Sequence, residues 1–457
     1  MNSMYTLSII LNIHRGGELV KKAILNLKEI IAHSHDSSPT WNNIELIAVL
    51  DHSDTATSAI VSQFANDFAK VERVEYQDLA QARNHGVRLA SGNFILFADE
   101  DDYFSIKSLV AIYSTCYKHY NNLVDTNTHE LNPLQALQHI AVFPRTCVEF
   151  PNICVQTYVD SNDMMKYNMM FHQLYLSRIC CPRVLLMQNP LRKDIPPYGF
   201  EDWDLNNRLL ALGVNFKVAD DFVLFYRVGK SDSLLSQQQN DNRIVRYSEI
   251  YKLSFRRRPE SISGSRSKSG MTLLGVKTIA QFIKKYIIFK WLNTFAYILP
   301  HYKQYLKFLR EHQETDLRIS GFCWRKMSWF RNNLSNEVQC FFQLVNDLQD
   351  SDTVILTSNN LPAWIPDRVR DDDTGVRDDD EQELSCEVDA PILNIGHGSD
   401  LWLTLSVANR LHVILKACIA SKIKTISYSS DSIIITQFLK DYAAVLNEYA
   451  IHVVEKA

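Results

Sequence analysis

The chain has 457 residues, enough at about 150 per domain for two or three buried cores. It is 46% hydrophobic and 22% charged, and its 48 basic against 52 acidic residues leave a net charge of −4, which excludes a surface built throughout to bind nucleic acid. Fourteen Gly and thirteen Pro exclude collagen-like and globally low-complexity chains, while 22 Phe and 20 Tyr suit packed cores.

The opening residues carry neither a basic flank nor a cleavage-type sequence, so no signal peptide is read. No stretch reaches the ~18 uninterrupted apolar residues of a spanning helix. Two periodicities then alternate. Apolar runs at Leu7–Ile13, Ile44–Leu50, Val71–Tyr76 and Phe94–Phe97 read as strands. Helical patterns at Leu19–Ile31, Thr55–Phe68 and Leu79–Ala90 fill the intervals. Strands alternating with helices of this length predict parallel pairing and an α/β sandwich, with ligands beyond the carboxyl ends of the strands. Asp51 and the acidic run Asp99 to Asp102 each follow a strand and are expected to face one crevice.

Residues 124–200 are less periodic and read as a substrate-facing lobe. Phe200-Glu201-Asp202-Trp203-Asp204 opens a helix that stops at Gly213, and Val218 and Phe222–Tyr226 look like strands. The stretch 256–271 alternates Ser, Gly, Arg and Lys and reads as a basic flexible linker. From 272 to 300 a helical apolar stripe (Val276, Ile279, Ile283, Ile287) runs beside Lys277, Lys284, Lys285 and Lys290. It reads either as a helix packed on the protein or as one lying on an anionic membrane face. The repeated Val-Arg-Asp-Asp-Asp near residue 370 lacks the Gly and Glu spacing of a calcium loop and reads as a disordered acidic insertion, 366–385. Beyond it, Ile392–Ile395, Leu401–Ile419, Thr425–Tyr428, Ile433–Leu446 and Ile451–Val454 predict a second, small α/β unit, with Val354–Leu356 as its first strand. Gly396-His397-Gly398 lacks the full glycine spacing of a nucleotide loop and reads as a turn. The domain expectation is thus 1–255, a linker 256–271, a basic helical segment 272–350 and an α/β unit 351–457. Nine cysteines without a CxxC pair read as buried free thiols of a reducing compartment.

Four consecutive acids at a strand end are costly unless they are solvated or paired with a cation. Paired carboxylates bind Mg2+ or Mn2+, which commonly bridges diphosphate oxygens and neutralises a leaving nucleoside diphosphate.

Several motifs in one order carry a resemblance. Leu7–Ile13, Glu45 to Ser53 with its Asp51, Ala82-Arg83-Asn84 leading to Asp99-Glu100-Asp101, and Gly199 to Asp204 together resemble the family-two glycosyltransferases of the GT-A fold, over about residues 5–235. The resemblance implies a Rossmann-like mixed sheet flanked by helices, and inverting transfer of a sugar from a nucleotide-diphosphate donor to an acceptor hydroxyl. It implies Asp202 as catalytic base and Asp51 as a base contact, with Asp99 and Asp101 on Mn2+ or Mg2+. Arg83, Asp99, Glu201 and Lys230 join Asp51 as nucleotide-sugar-binding candidates. Arg83 reads either as a phosphate contact or as half of a structural ion pair. Family members often place a His after the late strand. Here Tyr226-Arg227-Val228-Gly229-Lys230 stands in its place, so Lys230 is the expected phosphate contact and metal dependence stays open. UDP-sugars are the commonest expected donors, with GDP- and dTDP-sugars open. The implied setting is cytoplasmic, at the inner face of the plasma membrane, in cell-envelope polysaccharide or lipopolysaccharide assembly on a glycan or lipid-linked acceptor, with no nucleic acid. The rival expectations are a catalytically silent sugar-nucleotide-binding or scaffold module, and a bifunctional enzyme with a second activity in the C-terminal unit.

Overall fold

Thr6–Ile13 (β1) is buried at every residue from Leu7 to Ile13, on both faces. A strand reaches that state only inside a sheet covered on both sides, as parallel sheets are. The computed structural model shows this arrangement; it describes residues 6–37, 41–126, 139–150, 153–228, 234–241, 243–251, 300–301, 303–304, 307, 322–326, 334–349, 351–357, 390–395, 400–429 and 432–456.

After β1 the chain forms α1 (Glu18–His35), β2 (Asn43–Asp51), α2 (Thr55–Gln63), β3 (Lys70–Val74), α3 (Leu79–Leu89) and β4 (Phe94–Asp99). β1 pairs parallel with β2 on one side and β4 on the other, and β3 adds parallel to β2. The helices start where side chains satisfy their free amides: Asp54 caps α2 through the Thr57 amide and Asp78 caps α3 through the Gln81 amide. Gly86 lets α3 lie close on β1 and β2, because a β-carbon there would meet Ile10 Cγ2 at 2.4 Å.

The second half of the sheet follows: β5 (Tyr103–Phe104), α4 (Ser108–Thr126), β6 (Ile140–Phe150), β7 (Ile153–Thr157), α5 (Asp163–Asn168), β8 (Cys180–Pro182), α6 (Arg183–Gln188), α7 (Glu201–Ala211), β9 (Asn215–Arg227) and α8 (Leu234–Asn240). β8 runs antiparallel to β4 and β6 antiparallel to β8, which carries the sheet beyond its parallel half. Residues 124–200, expected as an aperiodic lobe, thus supply three strands of the same sheet. The expected break at Asp220-Asp221 is a correction of another kind. β9 is one strand of 13 residues paired parallel with β6, and its register jumps from Pro144↔Ala219 to Thr146↔Val223. The two aspartates sit on that bulge, where a strand turns residues out of the ladder. α7 ends as read, with Gly213 at φ 80° and the Val214 amide on the Leu209 carbonyl.

β10 (Phe322–Lys326) adds parallel to β7 at the sheet edge, so the segment expected to be helical from 272 to 350 contains a strand. A second sheet then forms. α9 (Asn336–Asp347) precedes β11 (Thr353–Thr357) and β12 (Ile392–Asn394). α10 (Asp400–Leu403), α11 (Val407–Ala420), β13 (Thr425–Ser429), α12 (Ile433–Asp441), α13 (Ala443–Glu448) and β14 (His452–Lys456) complete it. The strands are parallel in the order β12-β11-β13-β14, a doubly wound arrangement. The expected linker 256–271, the basic stripe 272–300, the acidic insertion 366–385 and the Gly396–Gly398 turn lie outside the described residues.

One continuous hydrophobic core runs through both units. At their junction Phe341 of α9 packs edge-on against Phe171 and Tyr251. No helix among the described residues is long and apolar enough to cross a membrane. Cys116, Cys147, Cys154, Cys180, Cys181, Cys340 and Cys418 are buried free thiols.

Candidate active site

Two of the four acids at the end of β4, Asp99 and Asp102, are paired with arginines of the protein itself. Asp99 pairs with Arg83 at 3.1 Å and with Arg178 at 2.6 Å. Asp102 accepts from Arg178 Nε at 2.5 Å and Nη2 at 3.0 Å, and from the Asp99 amide at 3.0 Å. Glu100 turns the other way and accepts from the His14 and Gly16 amides, both at 2.8 Å, tying the β1–α1 loop to the end of β4. A β-carbon at Gly16 would stand 2.6 Å from Glu100 Cδ, so only glycine permits that approach. Asp101 is the remaining, half-buried member of the run.

Arg83 is 1% exposed. Besides Asp99 it donates to Glu201 Oε1 at 3.0 Å and to Ser177 Oγ at 3.3 Å, and its guanidinium lies 5.6 Å over the Phe97 ring. Burial works against its charge, yet Asp99 and Glu201 outweigh that cost and hold it protonated. Of the two readings of Arg83, the structure shows the ion pair. Its terminal nitrogens reach Asp99, Glu201 and Ser177, while its buried Nε has no hydrogen-bond partner. Glu201 is 8% exposed and pairs with Arg83.

Asp202 opens α7 after Phe200, whose left-handed backbone (φ 62°, ψ 57°) leaves the helix without a side-chain cap. Its carboxylate accepts from the Trp203 amide at 2.8 Å through Oδ1 and from Gln173 Nε2 at 2.7 Å through Oδ2. Burial pushes its carboxyl above the usual carboxylate range, while Arg83, the Trp203 amide and Arg178 hold it back. Raised but restrained, it is suited to take a proton near neutral pH. The position at a helix start adds the favourable end of the helix dipole.

Asp51 ends β2 buried at 6% exposure and accepts from the amides of Tyr76 (2.7 Å), Gln77 (2.9 Å) and Asp78 (3.0 Å). It builds the turn between β3 and α3, with Gln77 held at φ 50°. The base-contact role expected of Asp51 is therefore preceded by a structural one. Beside it His14 donates through Nδ1 to the Asp51 carbonyl at 2.7 Å, and its ring stacks 6.1 Å from that of His52. Lys230 lies outside the described residues.

Of the expected metal pair, Asp99 carries two guanidiniums on its carboxylate and Asp101 stands half-buried two residues on. Among the described residues no group of three or more His, Cys, Asp or Glu side chains is placed to hold a metal ion. Mg2+ bound through substrate phosphates commonly needs one or two carboxylates, which Asp101 fits. Arg178 and Gln173 were not singled out in the sequence. Ser177-Arg178-Ile179 and His172-Gln173-Leu174 carry no spacing signal, and both residues gain their roles only through contacts made across the fold.

Residues 8–135 match the family model of Glycosyl transferase family 2. Asp51, Arg83, Asp99 and Asp101 fall inside that match, and Glu201 and Asp202 lie beyond it. Glycosyltransferase GlyA of Streptococcus pneumoniae serotype 4 is 22% identical over 216 residues, 45% of this chain and 30% of that protein's length. The chain therefore aligns with less than a third of that relative. Among solved structures, S. aureus TarS 1–349 in complex with UDP-GlcNAc matches at 16% identity over 54% of this chain and 65% of its own, with a TM-score of 0.33. The mannosyltransferase PcManGT from Pyrobaculum calidifontis, in complex with GDP-Man and Mn2+, matches at 15% identity over 66% of this chain and 87% of its own, with a TM-score of 0.36. Over residues 8–135 this chain is thus similar to glycosyl transferase family 2.

Proposed function

We propose that the protein is an inverting glycosyltransferase that moves a sugar from a nucleotide-diphosphate donor to an acceptor hydroxyl. One observation carries this reading. Arg83 joins Asp99 at the end of β4 to Glu201 at the start of α7, so two acidic motifs about a hundred residues apart meet across a single guanidinium. Asp202 stands next to that junction and is the proposed base. It takes the proton of the acceptor hydroxyl while the oxygen attacks the anomeric carbon in line, and the nucleoside diphosphate leaves from the opposite face. Asp101 would hold Mn2+ or Mg2+, which when bound neutralises charge on the leaving diphosphate. Asp51 is the proposed nucleobase contact, through the lone pair that its three amide bonds leave on Oδ2, and Lys230 the proposed phosphate contact. A UDP-sugar is the favoured donor. The favoured setting is cell-envelope polysaccharide or lipopolysaccharide synthesis, on a glycan or lipid-linked acceptor at the inner membrane face, with the lysine-rich stripe 272–300 as the membrane contact.

The test combines binding and turnover. Thermal melting is recorded with UDP, GDP and dTDP, each with and without Mn2+, for the wild type, Asp101→Ala and Asp202→Asn. A ligand at a hundred times its Kd adds about 2.7 kcal/mol, a visible shift. The expected result is a Mn2+-dependent shift with one nucleotide, lost in Asp101→Ala and kept in Asp202→Asn. Asp202→Asn then loses about 10²–10⁴-fold in kcat, as removal of a general base does. An Asp202→Asn enzyme with full activity refutes the base. A wild type that melts identically with all three nucleotides favours the silent module instead.

A further inference from the structure

The segment 168–173 lies between the helix that carries Asp202 and the C-terminal unit, and it is held from both sides. Toward α7, Gln173 donates to Asp202 Oδ2 at 2.7 Å and the Met169 carbonyl accepts from Trp203 Nε1 at 2.6 Å. Toward the C-terminal unit, the Met170 carbonyl accepts from Lys416 Nζ of α11 at 2.9 Å. The Lys416 ammonium also lies 4.6 Å from the Phe171 ring centre and 5.1 Å from that of Tyr251. His172 Nε2 meets Glu337 of α9 at 3.2 Å, and Asn168 Oδ1 accepts from the Ser335 amide at 2.7 Å. An amine buried at 7% exposure is expensive to keep in an interface unless it is needed there.

We propose that Gln173 is a positioning residue for Asp202 and that the C-terminal α/β unit braces it, through Lys416 and Glu337 on the segment 168–173. The Asp202 carboxylate has two oxygens. The Trp203 amide fixes one and the Gln173 amide the other, which sets the plane in which the carboxylate offers its lone pairs. The brace converts a loop into a fixed platform, because both partners of Gln173's neighbours come from rigid helices. Loss of the brace lets the carboxylate rotate about its side-chain torsions and lowers the fraction of time spent in line with the acceptor proton. The second unit, in this reading, completes the active site of the first. The inference rests on Asp202 being the base.

The experiment is a double-mutant cycle on the full-length protein, read as nucleotide release from UDP-N-acetylglucosamine and from GDP-mannose with Mn2+. Gln173→Leu is expected to lower kcat about tenfold with the donor KM unchanged. In the Asp202→Asn background the same substitution is expected to cost nothing further, since there is no base left to position. Lys416→Met is expected to lower kcat three- to tenfold, again at unchanged KM. A purely structural role for Gln173 predicts equal losses in both backgrounds, and that result overturns the proposal. Wild-type kcat in Lys416→Met overturns the brace. Full activity in Asp202→Asn alone instead removes the base assignment and the proposal with it.

Discussion

Arg83 shows how one side chain can serve stability and the site at once. It is buried among three polar partners from β4, α7 and the segment before β8, so its removal strands Glu201 away from water and leaves Asp99 on Arg178 alone. Breaking a buried pair by deleting one partner typically costs about 3–5 kcal/mol, because the remaining charge is left uncompensated. Arg83→Met is therefore expected to lower unfolding stability by about that amount, read from urea denaturation. Its loss of activity should follow the loss of stability, and nucleotide binding by the fraction still folded should be retained. A phosphate-contacting arginine behaves in the opposite way, with binding lost and stability kept. Arg178 belongs to the same cluster and shows why the sequence was mute about it. An arginine beside an apolar strand reads as ordinary surface until the fold carries it to Asp99 and Asp102.

Among the elements, legibility followed burial. β1, β2 and β4 are mainly apolar runs because both faces are covered, and such runs are conspicuous in sequence. β6 and β9 were obscured by the same local event: Pro144 on one strand and Asp220-Asp221 on the other occupy a bulge, where the two-residue alternation fails. The parts of the site that end strands or begin helices, Asp51, Asp99 and Asp202, were legible by position. Gln173 and Arg178 were not, because nothing local dictates their partners. The packing of α3 on the sheet gives a test at this scale. Gly86→Ala gains about 1 kcal/mol in helix propensity but drives a methyl to 2.4 Å from Ile10 Cγ2, and overpacking of this kind costs about 1–3 kcal/mol. The steric term is expected to win, and chemical denaturation of Gly86→Ala should show net destabilisation.

Across the whole molecule, polar and aromatic contacts join the hydrophobic core where the two α/β units meet. Tyr198 donates to Glu448 at 2.9 Å, Tyr247 packs edge-on to Tyr449, and Lys416 is enclosed between Met170, Phe171 and Tyr251. Burial pushes the Lys416 amine down to about 7 from an ordinary value of 10.5. Below pH 7 both the folded and the unfolded chain carry the proton, and the folded chain bears the full cost of a buried cation. Between about 7 and 10.5 the unfolded chain binds more protons than the folded one, so stability rises with pH across that window. The melting temperature of the wild type is accordingly expected to gain on that of Lys416→Met as pH is raised from 7 to 9. Parallel curves would show that the amine keeps its proton, held by the Met170 carbonyl and the two rings.

The seven buried thiols have a consequence of their own. Burial pushes Cys116 and Cys418 up to about 12 and Cys340 to about 11, so each is both hidden and protonated in the native state. Thiolate is the reactive form, and these buried thiols therefore present almost none of it to an oxidant or alkylating agent. Their reactivity returns only when a unit opens, and among the described residues the two units carry separate sets: Cys116, Cys147, Cys154, Cys180 and Cys181 in the first, Cys340 and Cys418 in the second. These seven thiols thus form a native chemical clock for each half, in which the rate of modification at these positions counts openings of that half rather than exposure at rest.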